Sequence, residues 1–168
     1  MKRRLIAALA MALLLVATLS LPAVAATEGT SEASVTVNSV INITITDAPT
    51  AGIHFGSQTA GADYPDTDAN DTTASIVVKV EADTTVNVDL QIKGVDFSNG
   101  SGGSIAIAYA KYSLTYAGAK VTMNTSYTDF TTDIAPDTST SLWHWLTIPG
   151  GTAAGAYTST FSYQAEAH

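Results

Sequence analysis

Val35-Thr36-Val37-Asn38-Ser39-Val40-Ile41-Asn42-Ile43-Thr44-Ile45-Thr46 is the stretch whose reading decides the fold. Val35, Val37, Ile41, Ile43 and Ile45 take one parity, and Thr36, Asn38, Asn42, Thr44 and Thr46 take the other. Only Ser39-Val40 breaks the order. Alternation of this kind is the signature of a strand with one dry face and one wet face, because successive side chains leave a pleated backbone on opposite sides. The same period returns in Ile76, Val78 and Val80, in Val86, Val88, Leu90 and Ile92, and in Tyr112, Leu114 and Tyr116. It appears again in Tyr157, Phe161, Tyr163 and Ala165. Thr, Val, Ile and Tyr suit pleated surfaces, and helical periodicity is almost missing.

Between these runs stand turn formers: Pro49-Thr50-Ala51-Gly52, Ser98-Asn99-Gly100-Ser101-Gly102-Gly103, Ala117-Gly118 and Pro149-Gly150-Gly151. Short strands punctuated in this way predict an all-β, immunoglobulin-like or jelly-roll-like β-sandwich. No linker, charge block or repeat divides the chain after its leader, so a single domain is expected over residues 39–168, preceded by a polar arm at 27–38.

The first 26 residues have another character. Lys2-Arg3-Arg4 precede an apolar run from Leu5 to Leu21, and Ala23-Val24-Ala25 follows a proline. A basic start, an apolar centre and a small-residue cleavage site make a secretory signal peptide, and the run is shorter than the ~20 residues a spanning helix needs. The expectation is therefore a secreted, extracellular or cell-surface protein with no membrane segment after cleavage.

Loss of Lys2, Arg3 and Arg4 leaves four of the seven basic residues against fifteen acidic ones, a net charge of −11. Such a surface does not suit nucleic acid or anionic lipid, which are bound by clustered Lys and Arg. With no Cys, the exported fold has no disulfide staple, and thiol catalysis and thiolate metal sites are excluded. The three histidines, His54, His144 and His168, lack metalloprotease spacing, and no nucleophile elbow, phosphate loop or dinucleotide glycine pattern occurs. The chain reads as a non-enzymatic protein.

Three polar or aromatic features remain as candidate sites. Asp66, Asp68 and Asn70 have D-x-D-x-N spacing, which places oxygen donors on one side of a tight loop as calcium requires. The match ends there, since Asp71 stands where an EF-hand has Gly and Val77 where it has Glu; calcium is the one cofactor the sequence suggests. Asn42, Asn70, Asn99 and Asn124 carry the N-x-S/T pattern of glycan acceptors, four of the six asparagines in the chain. In Trp143-His144-Trp145 the two indoles share one strand face, while Leu142, His144, Leu146 and Ile148 share the other. Both faces want cover, so Trp143 and Trp145 are expected to pack in the core or against a neighbouring subunit.

Gly52-Ile53-His54-Phe55-Gly56, Ile92-Lys93-Gly94-Val95-Asp96-Phe97, Leu142 to Pro149 and Ala153 to Phe161 together resemble secreted β-sandwich domains of prokaryotic surface proteins. These include the subunits of archaeal threads and bundling pili. The resemblance implies a structural role in which an N-terminal strand of one subunit completes the sheet of the next. The residues agree with that implication. Alternation over Val35–Ile45 is about twice the usual strand length, so Val35, Val37, Ile41 and Ile43 can serve a donor strand whose first half, Ala33 to Asn38, leaves the domain. The alternative is a strand that crosses between the two sheets of its own domain, kinked at Ser39-Val40. The functions expected are a subunit of a homopolymeric filament, pilus or matrix, or a surface module binding glycan or calcium.

Overall fold

A computed structural model describes residues 34–36, 38–47 and 52–168. The signal peptide expected at 1–26 and most of the expected arm, including Val37, lie outside the described residues. The chain divides into two units, Met1–Thr36 and Val37–His168. The second is an all-β sandwich, and no described helix is long and apolar enough to cross a membrane.

Its strands are β1 (Ile43–Asp47), β2 (Asp63–Pro65), β3 (Ile76–Val80), β4 (Val88–Gly94), β5 (Phe97–Ser98), β6 (Ser104–Ile105), β7 (Ala110–Ser113), β8 (Val121–Thr122), β9 (Thr128–Ile134), β10 (Thr138–Thr147) and β11 (Phe161–Ala167). One sheet has the order β1-β3-β10-β7-β8, with β2 also paired to β10. The other has the order β11-β4-β9, and β5 and β6 form a separate hairpin. The ladders among these strands are antiparallel.

Alternation becomes burial where the sheets face each other. Ile76, Val78 and Val80 of β3 and Val88, Leu90 and Ile92 of β4 are all buried, while the residues between them stay partly exposed. Contacts across the layers close the core: Tyr112 of β7 meets Phe130 of β9 edge-on at 6.4 Å, and His144 of β10 stacks on Phe161 of β11 at 5.4 Å. Gly94 ends β4 where a side chain has no room. A Cβ there would lie 2.5 Å from Ile107 Cδ1 and 3.0 Å from the Phe161 ring.

The alternating runs and the observed strands differ at three places. The long strand expected from Val35 starts only at Ile43. Before it, β3 has already ended at Val80, so residues 40–42 bond to the turn that follows. Val40 N donates to Thr85 Oγ1 at 2.9 Å, Asn42 N donates to Thr84 Oγ1 at 3.0 Å, and Val40 O accepts from Thr85 N at 3.0 Å. Threonine hydroxyls thus replace the missing ladder. Leu114, expected inside a strand, follows the end of β7 and is exposed, and β11 begins at Phe161 rather than near Tyr157.

Leu142 is fully buried at the centre of β10. Replacing it with Ala removes apolar contacts from both layers, and the expected loss is about 2–5 kcal/mol of stability. Urea denaturation followed by circular dichroism reads the loss as a lower midpoint, and an unchanged midpoint would contradict the central place given to β10.

Candidate functional site

An open cleft of about 1300 Å³ lies between the loop at 52–60 and the loop at 152–160. Ile76 of β3, Leu146 of β10, and Phe97 and Ile105 of the β5-β6 hairpin are buried core residues that also line it. Phe161 and Tyr163 of β11 line it from the smaller sheet. Phe97 joins its aromatic lining together, edge-on to Phe55 at 6.3 Å and to Phe161 at 6.0 Å.

Hydrogen bonds to the framework hold both loops. His54 N donates to Asp66 Oδ1 at 3.1 Å, and His54 O accepts from Thr67 N at 2.6 Å. Gly56 adopts φ +67°, and its α-carbon comes so near Thr67 that a Cβ would lie 3.1 Å from the threonine methyl. Positive φ together with this approach suits glycine best. On the other side, Ser98 and Thr158 exchange backbone hydrogen bonds of 2.9 and 3.0 Å, and Tyr157 OH donates to Ala153 O at 3.0 Å.

The cleft exists because the sheets differ in width. β9 covers β7 and β11 covers β10, as the ring contacts show, and among the described residues no strand of the smaller sheet lies beyond β11. Among the described residues β11 pairs only with β4, and Phe161 to Ala165 are partly buried at every position. Ile45 of β1 stands directly across from fully buried Val78, so it shares the inward face, yet it is 43% exposed.

Asp66 and His144 stand opposite one another where the chain leaves β2, joined by the 3.0 Å bond from Asp66 N to His144 O. Both side chains are buried. Asp66 Oδ1 accepts from His54 N and from Asp68 N, at 3.1 and 3.2 Å, while Oδ2 has no partner among the described residues. His144 Nε2 lies 3.4 Å from Tyr163 OH, and Nδ1 has no partner among the described residues. Burial pushes the imidazole pKa down to about 3.

The other charges serve the framework. Lys111 and Lys120 both pair with Asp63, at 2.9 and 3.4 Å. The Thr147 hydroxyl and the Lys111 ammonium, both hydrogen-bonded to this carboxylate, draw its pKa to about 2. Lys120 also lies 4.7 Å from the Trp145 ring centroid. At the C-terminus the Asp133 backbone N–H and the His168 ring hold Asp89 below the usual carboxylate range, and Asp89 raises the His168 pKa in return.

The residues singled out in the sequence fall in several places. Val35 and Ile41 are exposed, whereas Ile43 belongs to β1 and packs against its own core. Asp66 is turned inward, and Asn70 Oδ1 accepts from Thr72 N, Thr72 Oγ1 and Thr73 N at 2.9, 2.8 and 3.0 Å, so the expected calcium loop uses these two oxygens for its own backbone. Among the described residues no group of three His, Cys, Asp or Glu is placed to hold a metal ion. Trp145 is buried on the outer face of β10 beneath Tyr116 and Lys120, and Trp143 is half-buried. Asn42, Asn70 and Asn124 are exposed and Asn99 is half-buried. The aromatic lining went unread in the sequence, because Phe55, Phe97 and Tyr163 come from distant segments with no shared spacing.

No family model matches the chain, and no curated protein matches it. A family 123 glycoside hydrolase from Clostridium perfringens, a solved structure described for its hydrolysis of glycolipid glycans, is 14% identical with a TM-score of 0.46. The similarity covers 75% of this chain and 24% of that one, so the chain spans about a quarter of that enzyme's length.

Because His144 titrates near 3 in the fold and near 6.5 when unfolded, the unfolded state takes up the proton first as pH falls. Its contribution to stability is therefore intact above pH 6.5 and is lost between about 6.5 and 3, at roughly 1.4 kcal/mol per pH unit. His144→Phe keeps a ring against Phe161 and is expected to flatten this part of the acid dependence. Urea midpoints at pH 7 and pH 4 measure it, and equal slopes for the two proteins would refute the assignment.

Proposed function

We propose that the protein is an exported structural subunit of a cell-surface filament, in which residues Ala33–Asn38 of one copy add as a strand beside β11 of the next. The observation that carries this reading is the edge of β11 that is unpaired among the described residues, beside an apolar cleft and facing a larger sheet whose inward Ile45 is still 43% exposed. A strand added there would pair with the main chain of β11 and bring alternate side chains down over the uncovered rows. Backbone hydrogen bonds supply affinity in strand addition, and side-chain pockets supply register.

The donor segment suits such a position. Ala33-Ser34-Val35-Thr36-Val37-Asn38 carries no charge, places Val35 and Val37 on one parity, and leaves the Val35 side chain 86% exposed. Its neutrality matters for an acidic protein, since copies that repel through their surfaces are not repelled through this strand. Donor and acceptor surfaces differ, so the contact runs head to tail and propagates. The signal peptide of residues 1–26 supports the outer surface as the place of assembly. With no cysteine, subunits would be held by sheet hydrogen bonds and apolar burial alone.

Electron microscopy of the mature protein tests the proposal. Fibres are expected from the chain that begins near Ala26, and folded monomers from one that lacks residues 27–38. A synthetic peptide of residues 33–38 should bind the shortened monomer and raise its melting temperature in proportion to peptide concentration. A mature protein that stays monodisperse at high concentration, or a shortened one that still polymerises, would sink it.

A further inference from the structure

Of the four N-x-S/T sites, Asn70-Asp71-Thr72 lies in the loop that carries the chain from β2 to β3, and all three of its residues are exposed. The Asn70 carboxamide is held by its oxygen. Oδ1 accepts from Thr72 N, Thr72 Oγ1 and Thr73 N at 2.9, 2.8 and 3.0 Å, while Nδ2 has no partner among the described residues. The acceptor nitrogen is thus fixed in direction and free to react. Beside it, Trp143 Nε1 donates to Asn70 O at 2.7 Å, which brings a half-buried indole against this residue.

The other three sites lack this combination. Asn42 Nδ2 is turned to Asp83, 3.4 Å from Oδ1. Asn99 builds its own turn, with Oδ1 accepting from Ser101 N and Gly103 N at 2.9 and 2.8 Å and Nδ2 lying 3.5 Å from Tyr157 OH. A Cβ on Gly103 would lie only 2.4 Å from that nitrogen, so the surroundings leave a sugar little room. Asn124 is exposed, but its main-chain carbonyl accepts from Gly94 N at 2.9 Å rather than from an indole.

We infer that Asn70 is an N-glycosylation site and that the first sugar of the glycan rests on the indole of Trp143. The transfer joins Asn70 Nδ2 to the anomeric carbon of a lipid-pyrophosphate-linked oligosaccharide. The carbon–oxygen bond to the pyrophosphate breaks, the lipid pyrophosphate leaves with the bonding pair, and the amide gives up one proton. A sugar ring offers an apolar C–H face, and a half-exposed indole loses water by receiving it. The inference rests on the export reading, since the transferase and its lipid donor act at or beyond the membrane, but it does not require filaments.

The full chain is expressed in two hosts, one with an N-oligosaccharyltransferase and one without, and recovered from the medium so that failure of export is seen separately. Intact mass and glycopeptide mapping are expected to place a glycan on Asn70 in the first host only. Thr72→Ala should abolish it and Thr72→Ser should retain it, with circular dichroism confirming that both variants fold. Acrylamide quenching of tryptophan fluorescence should be weaker in the glycosylated protein than in the bare one. An exported chain that is bare at Asn70 in the first host overturns the site, and equal quenching overturns the place of the sugar on Trp143.

Discussion

The hydrogen-bond ladder of β10 is the constraint on which the larger sheet depends. Its ten residues are bonded on one edge to β3 and then to β2, and on the other to β7. β2 and β3 are in effect one strand interrupted at a single place. On either side of the gap, Asp66 N still bonds to His144 O at 3.0 Å and Ser75 N to Leu142 O at 2.9 Å. The eight residues between them must therefore leave the sheet, and the loop that bears Asp68, Asn70 and Thr72 is pushed into solvent. The same ladder fixes side-chain direction. Leu142, His144 and Leu146 are committed to the core, so Trp143 and Trp145 must face outward and need cover of their own. The paired Lys120 and Asp63 supply part of it, together with Tyr116.

Width decides the rest. A sheet of six strands lies against one of three, and the smaller sheet cannot shield every inward residue of the larger. At the β7 side Tyr112 and Phe130 close the interior, but at the β1 side Ile45 remains half open and a cleft of about 1300 Å³ reaches buried Ile76 and Leu146. Apolar surface left in water is unfavourable at roughly 25 cal/mol per Å². The domain tolerates this without a disulfide, since Leu90, Ile92, Val78, Val80 and Leu142 are fully buried elsewhere.

The strand class was legible wherever a strand has one wet face. Val88, Leu90 and Ile92, and Ile76, Val78 and Val80, were marked by period two and proved to be core. Val35–Ile45 carried the same period and yet forms a ladder only from Ile43, because a strand requires a partner and β3 stops at Val80. β9 was not legible, since Thr128-Asp129-Phe130-Thr131-Thr132-Asp133-Ile134 buries little besides Phe130, and its polar residues are satisfied by neighbours such as Gln91 and Asn87. The cleft was hidden for another reason. Phe55, Phe97, Phe161 and Tyr163 meet only through tertiary packing, which leaves no local pattern, and the inward turn of Asp66 depends on the main chain of His54.

Each sheet has two outer edges, and an uncovered edge invites other chains to pair, so folded proteins normally blunt it. β8 is only two residues long. β9 carries Asp129 and Asp133, the latter at φ +57°, and its ladder with β4 shifts register twice. β1 is five residues long and is entered through a segment bonded to Thr84 and Thr85 side chains. β11 is less protected, its one charged residue, Glu166, standing near its end. It runs for seven residues in unbroken register with β4, and Phe161-Ser162-Tyr163-Gln164-Ala165 bears no charge. In a chain with fifteen acidic residues, a neutral stretch of this length on an edge is a departure from the surface around it, and it coincides with the place where the core is least covered. With β1, β8 and β9 blunted, the β11 edge is where a further strand could both extend the smaller sheet and bury apolar residues of the cleft.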